Sequence, residues 1–322
     1  MGIEVGQDCF RYEVAEGWGR LPENWQWGDV VSIAIGPQDE VFVFNRSEHP
    51  LVIFDKWGHF LSAWGADRFV RPHGITMGPD GMLYCTDDEG HIVLKCTPNG
   101  AVLMMLGERG KGSDTGYDGQ NIMTIARPGG PFNRPTKVAI DAAGDLYISD
   151  GYGNCQVHKF SADGRYLFSW GEPGNGPGQF RLPHSVIIDR QARVYVADRE
   201  NNRVQIFDAD GRFLAERPDL RRPNDLALDA EGNLYVASMF AITAGPAGRS
   251  VLKSYISILS PDGMLLSRWG TDDACTPGSF WAAHGIAMDS RGGLYVGEII
   301  TRPGRGPAPE GCHALQKFVR IS

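Results

Sequence analysis

The chain has 322 residues, with 31 Lys and Arg against 39 Asp and Glu, for a formal net charge of −8. Its 42 Gly, 20 Pro and 42% hydrophobic content describe a large core cut by many turns, which excludes a disordered polymer or a protein of long helices. An acidic chain with no polybasic run offers no footprint for nucleic acid or for anionic lipid, so neither is an expected partner.

At the amino terminus, residues 1–10 lack the charged start and apolar run of a secretion signal, and no segment has the roughly 18 apolar residues of a membrane span. The expected compartment is the cytoplasm. Cys9, Cys85, Cys96, Cys155, Cys275 and Cys312 form no CxxC pair and are expected to be reduced, buried thiols without bridges.

One pattern then recurs along the chain: an apolar strand, a turn rich in Asp and Gly, and a second strand bearing an aromatic. It reads IAIGPQDEVFVFN from Ile33, ITMGPDGMLYCTD from Ile75, VAIDAAGDLYISD from Val138, VIIDRQARVYVAD from Val186, LALDAEGNLYVAS from Leu226 and IAMDSRGGLYVGE from Ile286. In most units a second hairpin follows, as in VHKFSADGRYLFSWG after Val157, giving four strands per unit. Repeats of this length, each too small to bury its own faces, predict an all-β fold: an NHL-like six-bladed β-propeller occupying residues 1–322 as a single domain. The last unit supplies three strands, ending in ALQKFVRIS, so the strand in FRYEVAEGW is expected to close the ring in the sixth blade. The longer stretches 108–134, 239–253 and 299–313 are read as rim loops over the channel mouth.

The residue two places before each first strand is Val31, His73, Thr136, His184, Asn224 and His284. Histidine therefore recurs at every second blade, and first strands line the axis of a propeller. Three imidazoles converging with a coordination place left open are the ligand set of a catalytic zinc, although another divalent transition metal also suits them. His49, His59, His91, His158 and His313 share no such register and read as ordinary hydrogen-bonded residues. At the end of the second strand the register gives Asn45, Asp87, Asp150, Asp198, Ser238 and Glu298, with Arg46 and Arg199 next in opposite blades. Arginine forks beside a metal suit a small anionic substrate, and Tyr152 is a candidate acid or base. The carboxylates in this register are expected to tie off turns.

The segments NRS at Arg46, RPHG at His73, SDGYGN at Tyr152, LPHS at His184, ADREN at Arg199 and AHG at His284 resemble the lyase domain of peptidylglycine amidating enzymes, within the NHL-repeat propellers. The resemblance covers nearly the whole chain. It implies zinc on His73, His184 and His284, catalysis by Tyr152, Arg46 and Arg199, and cleavage of a peptidyl α-hydroxyglycine to an amide and glyoxylate. The chain departs from the family at Gly285, where the family's structural calcium uses Asp, at Gly153, where secreted members have Cys, and at Ala282 for a family Met. These departures argue against structural calcium and against bridges. With no monooxygenase domain in this sequence, the expected substrate is a small N-acyl or N-carbamoyl α-hydroxy acid rather than a peptide hormone. Two other functions fit the repeats: a metal-dependent hydrolase or lactonase using Glu298, Asn224 and Asp225, and a non-catalytic NHL interaction scaffold. The oligomeric state is not legible.

Overall fold

The computed structural model describes residues 2–244, 249–270, 273–302 and 306–321. Among these, one antiparallel sheet of four or five strands forms for each repeat, two further two-stranded pairings join Glu172–Pro173 with Gln179–Phe180 (parallel) and Thr301–Arg302 with Gly306–Pro307 (antiparallel), and helix is confined to the short 3-10 turns Ile122–Thr124 and Arg199–Asn201. The fold is the predicted six-bladed β-propeller. No helix of the described residues is long and apolar enough to cross a membrane.

Contacts group the chain into two compact units. The first comprises Met1–Ala63 with Asn224–Ser322. Here the strand Phe10–Val14 pairs with Leu315–Arg320, setting Tyr12 opposite Arg320 and Val14 opposite Phe318. The amino-terminal strand thus joins the last sheet, as expected, and Glu4–Gln7 extends that sheet by one more strand. Tyr12, Tyr235, Ile256, Phe280, Val296 and Phe318 bury their side chains in a shared core, each such burial contributing about 1.5–3 kcal/mol against exposure. The second unit, Trp64–Pro223, holds the sheets of the second, third and fourth repeats.

The recurring Asp–Tyr spacing has a physical cause. Asp141 accepts from the amides of Ala143 and Asp145, both at 2.9 Å, and its second oxygen takes the Tyr147 hydroxyl at 3.3 Å. Asp189 with Tyr195, Asp229 with Tyr235 and Asp289 with Tyr295 repeat this arrangement. One carboxylate thereby closes the turn and satisfies a phenol whose ring is buried in the core.

Two sequence expectations fail. The stretch 239–253 is not a rim loop: strands Leu234–Ala244 and Arg249–Leu259 pair from Leu234↔Leu259 out to Ala244↔Arg249, a long hairpin whose tip, 245–248, lies outside the described residues. Within 299–313, residues 303–305 also lie outside them. Cys275 and Cys312 form a disulfide across a separation of 37 residues, so bridges are present after all. The two cysteines lie in loops far apart in sequence, where spacing carries no signal. The expectation of reduced thiols followed from the expected cytoplasmic compartment, whereas disulfides persist in oxidising compartments. Replacing Cys312 by serine should cost about 3–4 kcal/mol by loop-closure entropy, read as a lower denaturation midpoint. Reductant should shift the parent alike and leave the variant unmoved; a midpoint indifferent to both would show the thiols to be unpaired.

Candidate functional site

The histidines stand at the second position of strands Pro72–Met77, Pro183–Ile188 and Ala283–Met288. The ladders skip register between Pro72 and Ile75, between Pro183 and Ser185, and between Ala283 and Gly285, so each histidine occupies a β-bulge. Bulges re-aim a side chain away from the ordinary pleat. Nδ1 of His73 bonds the carbonyl of Thr136 at 2.8 Å, and Nδ1 of His284 bonds the carbonyl of Val31 at 2.8 Å. Since a carbonyl can only accept, both Nδ1 atoms carry the proton, and the neutral ring presents its lone pair at Nε2. The following glycines are required by the same contact. A Cβ on Gly74 would stand 2.3 Å from the Thr136 carbonyl oxygen, and one on Gly285 would stand 2.9 Å from that of Val31.

His284 is buried in the first unit, and His73 and His184 are buried together in the second, their ring centres 4.8 Å apart. The predicted tyrosine belongs to the same cluster. Its hydroxyl lies 3.3 Å from Nε2 of His73 and 3.0 Å from Nε2 of His184, and Nη1 of Arg199 donates to it at 3.4 Å.

Tyr152 is held by its neighbours. A Cβ on Gly151 would meet the Pro183 carbonyl at 2.2 Å, and one on Gly153 would meet Asn133 at 2.1 Å, so the turn passes where only glycine fits. The stretch 108–134 supports this turn: Thr115 donates to the Gly153 carbonyl at 2.5 Å, and the Gly153 amide donates to that of Asn133 at 3.0 Å. Arg199 opens a 3-10 turn whose last cap, Asn202, takes the left-handed conformation at φ 57°. Its Nε donates to Glu200 at 3.0 Å.

Arg46 bonds Asp29 at 3.4 Å, and that carboxylate also takes the amide and hydroxyl of Thr301 at 2.7 and 2.8 Å. The acidic register at the ends of the second strands is structural, as expected. Asp87 accepts from the amides of Val70 and Arg71, Asp150 from Asn133, Asp198 from Arg181, and Glu298 from Trp281 and Ala282. Each clamps the backbone that leads into a first strand. Burial pushes the Glu298 carboxyl up to about 8 against these donors. Of the residues of the hydrolase alternative, Asp225 accepts from the amides of Leu226 and Ile286, while Asn224 donates through Nδ2 to the Ala283 carbonyl. His59 and His158 pair with Asp55 and Asp150 as ordinary hydrogen-bonded residues.

Sequence reasoning missed three arginines, Arg71, Arg134 and Arg222. The guanidinium carbons of Arg71, Arg134 and Arg199 stand 5.5, 5.6 and 5.5 Å from the centre of the Tyr152 ring, within cation–π range. Arg222 shares Glu200 with Arg199. Arg71, Arg134 and Arg222 each precede a proline two residues ahead of the histidine register, in RPHG, RPTK and RPND. That dipeptide repeat was the available signal.

A family model described as "6-bladed beta-propeller" matches residues 131–240. The chain is 32% identical over 334 residues to NHL repeat-containing protein 3 of Homo sapiens, covering 97% of this chain and 85% of that one. It is 26% identical over 323 residues to peptidyl-alpha-hydroxyglycine alpha-amidating lyase 2 of Drosophila melanogaster, covering 87% and 72%. It is 27% identical over 314 residues to peptidyl-glycine alpha-amidating monooxygenase B of Xenopus laevis, covering 85% of this chain but spanning 33% of that relative's length. Two of these three relatives are named as amidating enzymes.

Proposed function

The chain belongs to the NHL-repeat propeller family that includes NHL repeat-containing protein 3, and from that premise we propose that it is a metal-dependent carbon–nitrogen lyase. Its substrate in this reading is a small anionic carbinolamide, an N-acyl or N-carbamoyl α-hydroxy acid, cleaved to an amide and an oxo acid such as glyoxylate. The observation that carries the reading is the meeting of His73, His184 and Arg199 on the one hydroxyl of Tyr152. A structural or scaffolding role gives no reason for buried imidazole lone pairs and a guanidinium to converge on a phenol.

His73, His184 and His284 are the proposed metal ligands. Nδ1 protonation of His73 and His284 leaves the nitrogen that a cation needs, and an all-imidazole set suits zinc or another nitrogen-preferring divalent ion rather than calcium. A divalent cation bound there supplies Lewis-acid polarisation of a hydroxyl and lowers its pKa.

The chain's own groups do the rest. Arg199 binds the substrate carboxylate beside Tyr152, as a fork that keeps its charge at any working pH. Arg46, anchored by Asp29, remains in the proposed catalytic set. Tyr152 accepts the proton of the α-hydroxyl and delivers one to the departing amide nitrogen. The O–H and C–N bonds break while a C=O π bond and an N–H bond form, so the step needs no oxidant and no water. The Cys275–Cys312 disulfide favours an oxidising compartment for this chemistry over the cytoplasm.

Metal-loaded protein should release glyoxylate from N-acetyl-α-hydroxyglycine, detected as its hydrazone. No oxo acid from a panel of N-acyl and N-carbamoyl α-hydroxy acids would end the lyase reading.

A further inference from the structure

We propose that Arg222 is a second carboxylate-binding residue of the Tyr152 site, forming with Arg199 a two-guanidinium seat for the acid group of the substrate. The substrate class rests on the lyase reading, whereas the seat itself can be tested without turnover.

The argument starts from charge pairing around Tyr152. Arg71 pairs with Asp88 at 2.5 Å and Arg134 with Glu89 at 2.6 Å, so these two guanidiniums have two carboxylates, Glu89 also lying 3.9 Å from Arg71. Among the described residues, Arg199 and Arg222 have only one between them: both donate to Oε1 of Glu200, at 3.0 and 2.5 Å. This corner of the site therefore carries one positive charge more than it balances. A single bound carboxylate balances it.

The unused donors point the same way. A guanidinium offers five N–H groups. In Arg222, Nη2 serves Glu200, while Nε is buried with no hydrogen-bond partner. In Arg199, Nε serves Glu200 and Nη1 reaches the Tyr152 hydroxyl. Leaving a charged donor buried and unpaired is costly, and a carboxylate provides the missing acceptor with the matching planar geometry.

The chain places Arg222 deliberately. Its backbone is left-handed at φ 53°, immediately before Pro223, and its amide donates to Oδ1 of Asn202 at 2.9 Å. Asn202 is also the cap of the turn that carries Arg199, so one residue sets both arginines. Burial lowers the pKa of Arg222, and the neighbouring charge of Arg199 lowers it further. Two like charges held this close are relieved when an anion settles between them.

The test is binding of N-acetylglycine, a carboxylate without the scissile hydroxyl, against its uncharged counterpart N-acetylglycinamide, by titration calorimetry on the parent, Arg222→Met and Arg222→Lys. The expected result is that Arg222→Met weakens N-acetylglycine about tenfold or more. Arg222→Lys should recover part of the loss by restoring the charge without the fork, and N-acetylglycinamide should respond to neither change. With the carbinolamide substrate, Arg222→Met should raise KM far more than it lowers kcat. Binding of N-acetylglycine by Arg222→Met within twofold of the parent would overturn the seat, as would no measurable binding to the parent at millimolar concentration. Arg222-dependent binding without any glyoxylate release would sustain the seat and remove the lyase reading instead.

Discussion

Replacing His184 by alanine should reduce turnover by on the order of 10³-fold or more, because a lost ligand removes the cation and its effect on the substrate hydroxyl together. Metal content, measured by mass spectrometry after dialysis, should fall from near-stoichiometric in the parent to trace. His184 is the informative choice: its Nε2 lies 3.0 Å from the Tyr152 hydroxyl, so it joins the proposed metal position to the proposed proton carrier. Chelation of the parent should reproduce the loss, and zinc should restore the parent but not the variant. A variant that keeps both its metal and its rate would remove the imidazoles from the mechanism. The substitution also deletes a buried ring, so a thermal midpoint must accompany the rates. Rates that fall while metal content holds would indicate collapse of the pocket rather than loss of a ligand.

The fold was legible because each repeat carries its own local evidence. Alternating apolar residues define the strands, and the Asp that closes each turn sits six residues before the Tyr it satisfies at Asp141, Asp189, Asp229 and Asp289. Closure by the first strand was legible from a count of strands. The histidine register was legible for the same reason, since equivalent positions in equivalent units recur at equivalent places. Other features were hidden. Whether a residue before proline aims its side chain toward a site depends on its φ, and the left-handed values at Arg134 and Arg222 are conferred by contacts with His91 and Asn202 far away in sequence. The bulge that aims each histidine is a property of two strands together, not of one. The extension of residues 239–253 into a hairpin depends on cross-strand pairing that a run of Gly, Pro and Ser residues does not advertise. The pairing of Cys275 with Cys312 depends on two loops meeting in space.

Tyr152→Phe isolates the proton transfer, because it deletes one oxygen and leaves its surroundings intact. The flanking glycines keep the turn, the aromatic face still meets Arg71, Arg134 and Arg199, and no backbone hydrogen bond is lost. Removing a general acid–base group lowers rates about 10²–10⁴-fold, so kcat should fall by that order. Metal content should hold, since the ligands are the imidazoles, and N-acetylglycine affinity should change by less than about threefold, since the guanidinium forks remain. This combination separates proton transfer from binding and from metal retention. A kcat within about tenfold of the parent, below the range such a group supplies, would mean that the proton travels by another route. The hydroxyl would then serve only to hold the imidazoles and Arg199 in position.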